Sequence, residues 1–328
     1  MSDLRIGIIG AGGIAQRHVQ ELGAFDGVRV AAVVDLDPER AGKLAASTGA
    51  AVYGRVAEAL PEIDAAYVLT PPRARIPIVA ALAAAGLPVF CEKPLAASVD
   101  EAEQLTEIVT AAGAPFMVGF MRRWHPPNVR LKALLASGAI GEPVQFFRRR
   151  VGRLDLPPGD WRTDAAQLCG VTVESASHDL DLLRWLAGDI ADAAGVVSET
   201  RPDLPGYDET MAATLRFASG ATGVLQVSWR SGFARNELSV IGTAGTVVVT
   251  GDGLWTSRTW RVERDGEETT ETLPDELADD DGYGAQAAAF VALARGEKVD
   301  HPGVEDGLAT VVASHRILAS ATTGAAAG

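Results

Sequence analysis

Residues 4–15, with the sequence LRIGIIGAGGIA, join a short apolar run to a glycine-rich turn. The pattern G-x-G-x-x-A begins at Gly10, which permits a tight turn, and Gly12 lets the backbone come close to a pyrophosphate. Ala15 is small enough for a helix to pack closely on its strand. Free N–H groups at the start of such a helix favour a bound phosphate. The pattern is weak alone in a chain with 35 glycines, so the surrounding sequence has to support it.

Strands and helices alternate around this turn through the first third of the chain. Apolar runs predict strands at residues 4–9, 28–34, 65–69, 89–91 and 116–120, and helical spacing predicts helices at 14–22, from 38, at 76–85 and at 99–111. Near-continuous apolar strands between helices are typical of a parallel sheet covered on both faces. The sequence therefore predicts an α/β protein whose residues 1–120 form a Rossmann domain, a doubly wound parallel sheet that binds ligands beyond the carboxyl ends of its strands.

Asp35 ends the second predicted strand at the distance from the glycines that is typical of a dinucleotide site, about 20 residues. A carboxylate there accepts hydrogen bonds from the ribose hydroxyls and repels a 2′-phosphate. Leu36 follows, so no basic residue comes immediately after the acid. We therefore expect NAD as the cofactor, with NADP less favoured. The candidate cofactor-binding residues are Gly10, Gly12, Gly13, Ile14 and Asp35.

Lys93 lies in the segment EKP, residues 92–94, directly after the predicted strand 89–91. The carboxyl end of that strand is at the cofactor edge of the sheet, so Lys93 is predicted to face the nicotinamide end of the cofactor. Pro94 fixes its own φ and restricts the preceding lysine to extended conformations, which holds the side chain in one direction. On composition alone, a surface lysine before a helix is the alternative.

The strand–helix alternation stops after Phe120. Apolar residues alternate with polar ones at 211–217 and again at 225–229, which predicts an antiparallel hairpin with one buried face. Residues 237–250 and 254–266 predict further strands. The second predicted domain, 121–328, is therefore an α+β domain with an open, mostly antiparallel sheet.

Three polar residues are spaced as one face of a helix. Glu174, His178 and Asp181 stand at positions i, i+4 and i+7. The face could be merely solvated, or it could bind a metal, although nothing supplies a second histidine at ligand spacing. In the third interpretation, His178 is a general base, because the ordinary pKa of histidine is about 6.5, and Glu174 orients its ring and favours its charged form.

Several motifs occur in the order and spacing of one family. They are TPP at 70–72, CEKPLA at 91–96, VGFMRRWHP at 118–126, ESASHDLDLLRWLAG at 174–188, VIGTAGTVVV at 240–249 and EDGLATVVASHRILASA at 305–321. The chain resembles the glucose–fructose oxidoreductase, inositol dehydrogenase and rhizopine-catabolism (Gfo/Idh/MocA) family over nearly its whole length. The resemblance adds Thr70 and Pro71 to the candidate cofactor contacts and implies that Glu92 lies near the cofactor ribose. It also implies that Lys93 reaches the substrate hydroxyl beside the nicotinamide, and that the Lys93–Pro94 peptide is often cis.

The same resemblance implies roles in the second domain. His178 takes the position of the base, Glu174 that of its acidic partner, and Asp181 that of a second acid, either structural or substrate-orienting. Arg122 matches a position that can reach a substrate hydroxyl. Trp161 and Tyr283 are weaker candidates for the substrate pocket. The motifs FMRR and SHDLDLLRWL are similar to the inositol dehydrogenase branch, whereas residues 148–160 differ from that branch's substrate loop.

Composition narrows the possible partners. The net charge of −14 disfavours non-specific binding to nucleic acid or to anionic lipid. No apolar run is long enough to cross a bilayer, and the first ten residues lack a signal-peptide pattern, so a cytoplasmic location is expected. Two cysteines are too few for a disulfide framework or a cysteine-based zinc site. No metal is predicted.

The predicted function is hydride transfer between NAD and a secondary alcohol of a polyol, a sugar or a sugar-like substrate. Two alternatives stay open at this point. One is a non-catalytic regulator that senses dinucleotide or sugar, although a sensor needs neither Lys93 nor His178. The other is a glycosidase that uses bound NAD as a transient redox catalyst. The resemblance further implies a homodimer or homotetramer formed through the exposed face of the second domain's sheet.

Overall fold

The computed structural model describes residues 3–157, 159–164, 167 and 169–321. The chain divides into two compact units: unit 1 comprises Met1–Phe120 and Tyr283–Leu308, and unit 2 comprises Met121–Gly282 and Ala309–Gly328. The predicted second domain, 121–328, is continuous, and its last residues, 322–328, lie outside the described part. The structure differs from this prediction because Tyr283–Leu308 packs within unit 1. There the ring of Phe290 lies 4.9 Å from that of Tyr67 on the parallel sheet.

Unit 1 contains a six-stranded parallel sheet. Its strands are β1 (Leu4–Ile9), β2 (Val28–Val34), β3 (Ala51–Tyr53), β4 (Ala65–Val68), β5 (Val89–Cys91) and β6 (Phe116–Val118), in the spatial order β3-β2-β1-β4-β5-β6. All five neighbouring pairs are parallel. The strand order reverses direction at β1 and β4, as in a doubly wound sheet. The predicted Rossmann architecture is confirmed.

The helices of unit 1 follow the predicted alternation. They are α1 (Gly13–Leu22), α2 (Pro38–Ala46), α3 (Val56–Ala59), α4 (Arg75–Ala84), α5 (Val99–Ala112) and α9 (Tyr283–Ala294), with 3₁₀ segments at Leu60–Glu62 and Pro72–Ala74. The side chain of Asp37 caps α2 by accepting hydrogen bonds from the N–H groups of Glu39 and Arg40. Ser98 caps α5 in the same way. These caps place each helix start directly after a strand or turn.

Unit 2 contains an eight-stranded sheet that is antiparallel except for one pair. Its strands are β7 (Pro143–Arg153), β8 (Ile190–Ser198), β9 (Thr210–Phe217), β10 (Thr222–Ser228), β11 (Arg230–Gly242), β12 (Gly245–Gly251), β13 (Thr259–Arg264) and β14 (Glu267–Thr272), in the order β14-β13-β12-β11-β7-β10-β9-β8. Only β7 and β10 are parallel. The predicted hairpin is β9–β10, with Met211 paired to Val227 and both side chains buried. The predicted open, mostly antiparallel sheet is confirmed.

Helices cover one face of this sheet. They are α6 (Pro126–Ala136), α7 (Ser177–Ala187), α8 (Asp275–Ala278) and the part of α10 (Val304–Ser320) that begins at Ala309, with 3₁₀ segments at Met121–Arg123 and Trp161–Thr163 and a π-helical turn at Val171–Ser175. In the described part of the chain, no helix is long and apolar enough to cross a membrane.

The expectation that Glu174, His178 and Asp181 share one α-helical face is wrong. Glu174 lies in the π-helical turn, and α7 begins only at Ser177. The N–H of Ala176 donates to the carbonyl oxygen of Val171, five residues earlier, which defines the wider turn. A buried carboxylate on a distant segment stabilises this conformation: Asp208 Oδ2 accepts hydrogen bonds from the N–H and the hydroxyl of Thr172.

Candidate active site

The glycine-rich turn between β1 and α1 has the geometry of an anion site. Gly10 has a φ of 98°, and a Cβ there would lie 3.0 Å from the backbone of Leu69 and Thr70. At Gly12 and Gly13 a Cβ would meet nothing within 4 Å, so space is open above the turn. No side chain caps the start of α1. Its N–H groups therefore remain available for a phosphate, and the predicted dinucleotide loop fits this backbone.

Asp35 lies at the carboxyl end of β2, next to that turn. Its Oδ2 accepts a hydrogen bond from the N–H of Ala11 at 2.7 Å, and its Oδ1 accepts one from the N–H of Asp37 at 2.9 Å. These bonds hold the carboxylate beside the space over the glycines, where it can meet a ribose. Arg40 Nε lies 3.7 Å from Oδ1. Arg40 was not predicted, because it follows the acid by five residues and not directly.

The EKP turn follows β5 at the same edge of the sheet. The Lys93–Pro94 peptide is cis. The N–H of Lys93 donates to Glu92 Oε2 at 2.9 Å, and Glu92 Oε1 lies 3.0 Å from His18 Nε2 on α1. Both His18 and Glu92 are buried. Glu92 thus contacts the backbone of the lysine and the helix after the glycine-rich turn, and these contacts favour a positioning role for it.

His18 was not among the predicted site residues. It lies on the buried face of α1 with Ala15, Val19 and Leu22. Its ring contacts those of Tyr67, Phe90 and Tyr283, with centroid distances of 5.2, 5.1 and 5.5 Å. A histidine at a position where helical spacing calls for an apolar residue is the signal that could have found it.

Arg75 connects two of the predicted site segments. Its guanidinium is buried and donates to the carbonyl oxygen of Thr70 at 2.8 and 3.1 Å. It also donates to the carbonyl oxygens of Glu92, Pro94 and Leu95. The turn that carries Thr70 and Pro71 is thereby tied to the turn that carries Lys93.

His178 lies in the first turn of α7 and is buried. Its ring meets the Trp255 ring edge-on, with the centroids 5.4 Å apart. Glu174 is also buried, and its Oε1 lies 3.3 Å from Arg162 Nε. The predicted pairing of Glu174 with His178 stays a prediction. Burial raises the pKa of Asp208, which stabilises the turn carrying Glu174, to about 6.

The remaining predicted residues take different places. Asp181 is fully buried and forms a two-bond ion pair with Arg123, at 2.6 and 2.9 Å, which favours the structural alternative for this acid. Trp161 is half-buried, and the guanidinium of Arg162 lies over its ring. Tyr283 belongs to unit 1, where it packs against His18, and Arg17 lies over its ring.

Arg122 is buried in unit 2 near two further arginines, Arg148 and Arg150 of β7. Arg122 Nη1 donates to the carbonyl oxygen of Trp255 at 3.0 Å. Arg148 Nε and Arg150 Nη2 each lie 2.7 Å from a carboxylate oxygen of Asp179. We call Arg122, Arg148 and Arg150 the arginine cluster. Of its members, only Arg122 was predicted. Arg148 and Arg150 were not, because the buried face of a strand is normally apolar.

Among the residues that the structure describes, no group of three or more His, Cys, Asp or Glu side chains could hold a metal ion.

Comparison with known proteins assigns the family. Residues 4–120 match the model of an oxidoreductase family with an NAD-binding Rossmann fold, and residues 128–248 match the GFO/IDH/MocA C-terminal domain. The chain belongs to the Gfo/Idh/MocA family of oxidoreductases. The resemblance inferred from the motifs is confirmed.

Relatives match over most of their length. The inositol 2-dehydrogenase of Rubrobacter xylanophilus is 30% identical, covering 98% of this chain and 92% of its own. Inositol 2-dehydrogenase 2 of Saccharopolyspora erythraea is 30% identical, covering 99% and 95%. Among solved structures, GenD2 from gentamicin A biosynthesis, in complex with NAD, aligns with a TM-score of 0.83 at 26% identity, covering 98% and 95%. Levoglucosan dehydrogenase, in complex with NADH and levoglucosan, aligns with a TM-score of 0.85 at 22% identity, covering 98% and 97%.

This member of the Gfo/Idh/MocA family is therefore an NAD-dependent dehydrogenase, as the sequence predicts. Its structure brings the glycine-rich turn, Asp35, Thr70 and the EKP turn to the carboxyl ends of neighbouring strands in unit 1. In unit 2 it brings His178 and Arg122 to the same tryptophan, Trp255. Unit 1 can hold and orient a dinucleotide, and unit 2 presents an imidazole that can accept a proton.

Proposed function

We propose that this dehydrogenase oxidises a secondary alcohol of a polyol, a sugar or a sugar-like substrate. The observation that carries the proposal is the position of Lys93, directly after β5, at the sheet edge that also carries the glycine-rich turn and Asp35. A cation there is suited to an oxygen that gains negative charge beside the nicotinamide. The inositol 2-dehydrogenases and the levoglucosan dehydrogenase among the similar proteins support the substrate class.

Each proposed residue has one task. Bound NAD⁺ supplies the hydride acceptor. Asp35 accepts hydrogen bonds from the ribose, and the N–H groups at the start of α1 bind the pyrophosphate. Lys93 donates a hydrogen bond to the alcohol oxygen as it becomes a carbonyl oxygen. His178 accepts the hydroxyl proton, and Glu174 orients its ring.

A substrate screen tests this function. Polyols and sugars, beginning with myo-inositol, are incubated with NAD⁺, and NADH formation is followed by absorbance. We expect turnover with at least one compound, and the loss of most of it in Lys93→Ala. Lys43→Ala, at an exposed position of α2, is the matched control and should keep wild-type activity. If the enzyme binds NAD⁺ but oxidises none of these alcohols, the proposal is wrong.

The pH dependence of kcat/KM tests the proposed base. His178 must be neutral to accept a proton, so activity should rise with pH through one ionisation. His178→Ala should abolish this rise, the acidic limb of the pH profile, together with most of the rate. A deuterated substrate shows whether the hydride step limits the rate. If His178→Ala retains the limb, the base is another residue.

We also propose that the chain is cytoplasmic and assembles as a homodimer or homotetramer through the sheet of unit 2. Exposed apolar side chains on its strands, Val196, Ile241 and Phe233, support the second proposal. Light scattering after size exclusion, on the wild type and on Ile241→Lys, tests it. A monomeric wild type would contradict it.

A further inference from the structure

The arginine cluster gathers three guanidinium groups in the interior of unit 2. Arg122, Arg148 and Arg150 are each at most 2% exposed. Arg148 and Arg150 alternate along β7 and so share its buried face, where both pair with Asp179. Asp179 thus forms ion pairs with two of the three guanidinium groups. Burying an unpaired charge costs several kcal/mol, so a folded chain retains such a group only for a reason.

Nearby acids do not compensate Arg122. Asp179 and Asp281 favour its charged form, and Glu237 does the same for Arg148. Burial and the neighbouring Arg148 and Arg150 nevertheless lower the pKa of Arg122 to about 9. An anion bound beside Arg122 would therefore stabilise its charged form.

The cluster also has hydrogen-bond donors to spare. Within the described residues, Arg122 Nε and Arg148 Nη2 are buried and have no hydrogen-bond acceptor. Buried donors are nearly always satisfied, by protein, by water or by a ligand. The number of open donors, two, equals the number of oxygens of a carboxylate, whereas a phosphate monoester has three terminal oxygens.

The cluster lies next to the proposed base. The Trp255 ring contacts His178 edge-on, and the guanidinium carbons of Arg122 and Arg150 lie 5.8 and 4.6 Å from the centre of the same ring. An anion held here and a hydroxyl that reacts at His178 would therefore belong to one small molecule.

We infer that the arginine cluster binds a carboxylate of the substrate, so that the preferred substrates are sugar acids such as aldonates or uronates. This inference rests on the proposed oxidation of a polyol or sugar and narrows its substrate class. The carboxylate accepts hydrogen bonds from the open donors of Arg122 and Arg148, and the hydroxyl to be oxidised lies elsewhere on the same molecule.

Matched pairs of substrates test the inference without any variant. D-Gluconate is compared with D-glucitol, D-glucuronate with D-glucose, and D-galacturonate with D-galactose, each by NADH formation. We expect at least one acid to have a kcat/KM about 10- to 100-fold above that of its neutral partner, the range for a charged hydrogen bond. Glucose 6-phosphate tests whether the cluster binds a phosphate instead. A kcat/KM for glucose 6-phosphate above that for every sugar acid would contradict the assignment of a carboxylate.

Variants then assign the effect to the cluster. Arg122→Met should lower kcat/KM for the acid, through KM, about 10- to 100-fold more than it lowers kcat/KM for the neutral partner. Arg122→Lys keeps a charge without the planar fork and should recover only part of the loss. Arg130→Met, at a half-exposed arginine of α6, is the matched control. Equal losses for acid and neutral compound would contradict carboxylate recognition.

Equilibrium binding separates this inference from the proposed function. Calorimetric titration with sodium glucuronate, with glucose and with acetate as the minimal carboxylate needs no turnover. Glucuronate and acetate should bind to the wild type and bind at least tenfold more weakly to Arg122→Met, even if no alcohol is oxidised. If no acid binds more tightly than its neutral partner, and no acid is oxidised faster, the inference is wrong whatever the outcome of the substrate screen.

Discussion

Asp35 has two neighbours that determine how strictly it can select a cofactor. The N–H of Ala11 fixes its carboxylate beside the glycine-rich turn, and Arg40 Nε lies 3.7 Å away. The carboxylate repels a 2′-phosphate, whereas the guanidinium would attract one. Because the carboxylate is held beside the glycine-rich turn, we expect Asp35 to determine a preference for NAD in the wild type.

Replacing this acid should expose the opposing effect of Arg40. Asp35→Ser should weaken the use of NAD, through the lost ribose bonds, and improve the use of NADP, because Arg40 is then available for its phosphate. Measurement of kcat/KM with both cofactors checks this. In Asp35→Ser/Arg40→Ser the gain with NADP should disappear. Equal efficiency with both cofactors in the wild type would contradict the role of Asp35.

Lys93 should affect turnover far more than cofactor binding. Lys93→Ala should lower kcat by about 10²–10³, the loss typical of a donor to a developing oxyanion, with NAD⁺ affinity nearly unchanged. Lys93→Arg should not recover the rate, because a planar fork cannot replace a compact point charge. Steady-state kinetics and a fluorescence titration with NADH provide the two readouts. Wild-type turnover in Lys93→Ala would favour the alternative that Lys93 is a surface lysine without a catalytic role.

At the scale of elements, the carboxyl ends of β4 and β5 are held together by one buried side chain. Arg75, in the first turn of α4, donates to carbonyl oxygens of the turns after both strands. In this chain the arginine therefore positions the backbone on either side of Lys93.

Removing Arg75 should change both stability and catalysis. Arg75→Met leaves several buried carbonyl oxygens without donors and should cost on the order of 3 kcal/mol of unfolding free energy. It should also lower kcat more than it raises the KM for NAD, because Lys93 loses its fixed direction. Arg73→Met is the control, since Arg73 pairs with Glu101 at the surface. A purely structural role would lower stability and leave the kcat of the folded enzyme unchanged.

The elements differ in how far the sequence could predict them. The long apolar strands and the motif residues Gly10, Asp35 and Lys93 could be read from local patterns, because strand ends and turns depend on neighbours in the chain. Strand β3 was missed because two of its three residues are exposed and leave no apolar run. The π-helical turn was missed because its stabilising acid, Asp208, lies 36 residues from Thr172.

The same limit applies to the candidate site. His18 pairs with a glutamate 74 residues away, and the arginine cluster gathers side chains from β7 and from the segment that follows β6. Such contacts follow from tertiary packing, for which a single sequence has no local signal. The family motifs allowed a site residue to be predicted without such a signal only where the motif contains that residue, as with His178 and Arg122.

For the whole molecule, the arginine cluster links stability to pH through His125. This residue is fully buried between the 3₁₀ segment Met121–Arg123 and α6. Burial and the nearby Arg122 lower its pKa to about 2, with a further contribution from Arg148. In the folded protein His125 is therefore neutral at every pH above that value, whereas in the unfolded chain it takes up a proton below about 6.5.

We therefore expect the wild type to lose stability in mild acid, and we expect His125→Gln to remove this loss. Because the folded pKa is the lower one, the contribution of His125 is complete above pH 6.5 and decreases as the pH falls below it. Between pH 7 and pH 5 the wild type should lose about 2 kcal/mol more unfolding free energy than His125→Gln, and the two should run parallel from pH 7 to pH 8. All six tryptophans lie within residues 121–282, so urea unfolding followed by tryptophan fluorescence reports on unit 2, which contains His125. If the unfolding free energies of the wild type and of His125→Gln decrease in parallel below pH 6.5, His125 also takes up a proton in the folded state, despite its burial beside the arginines.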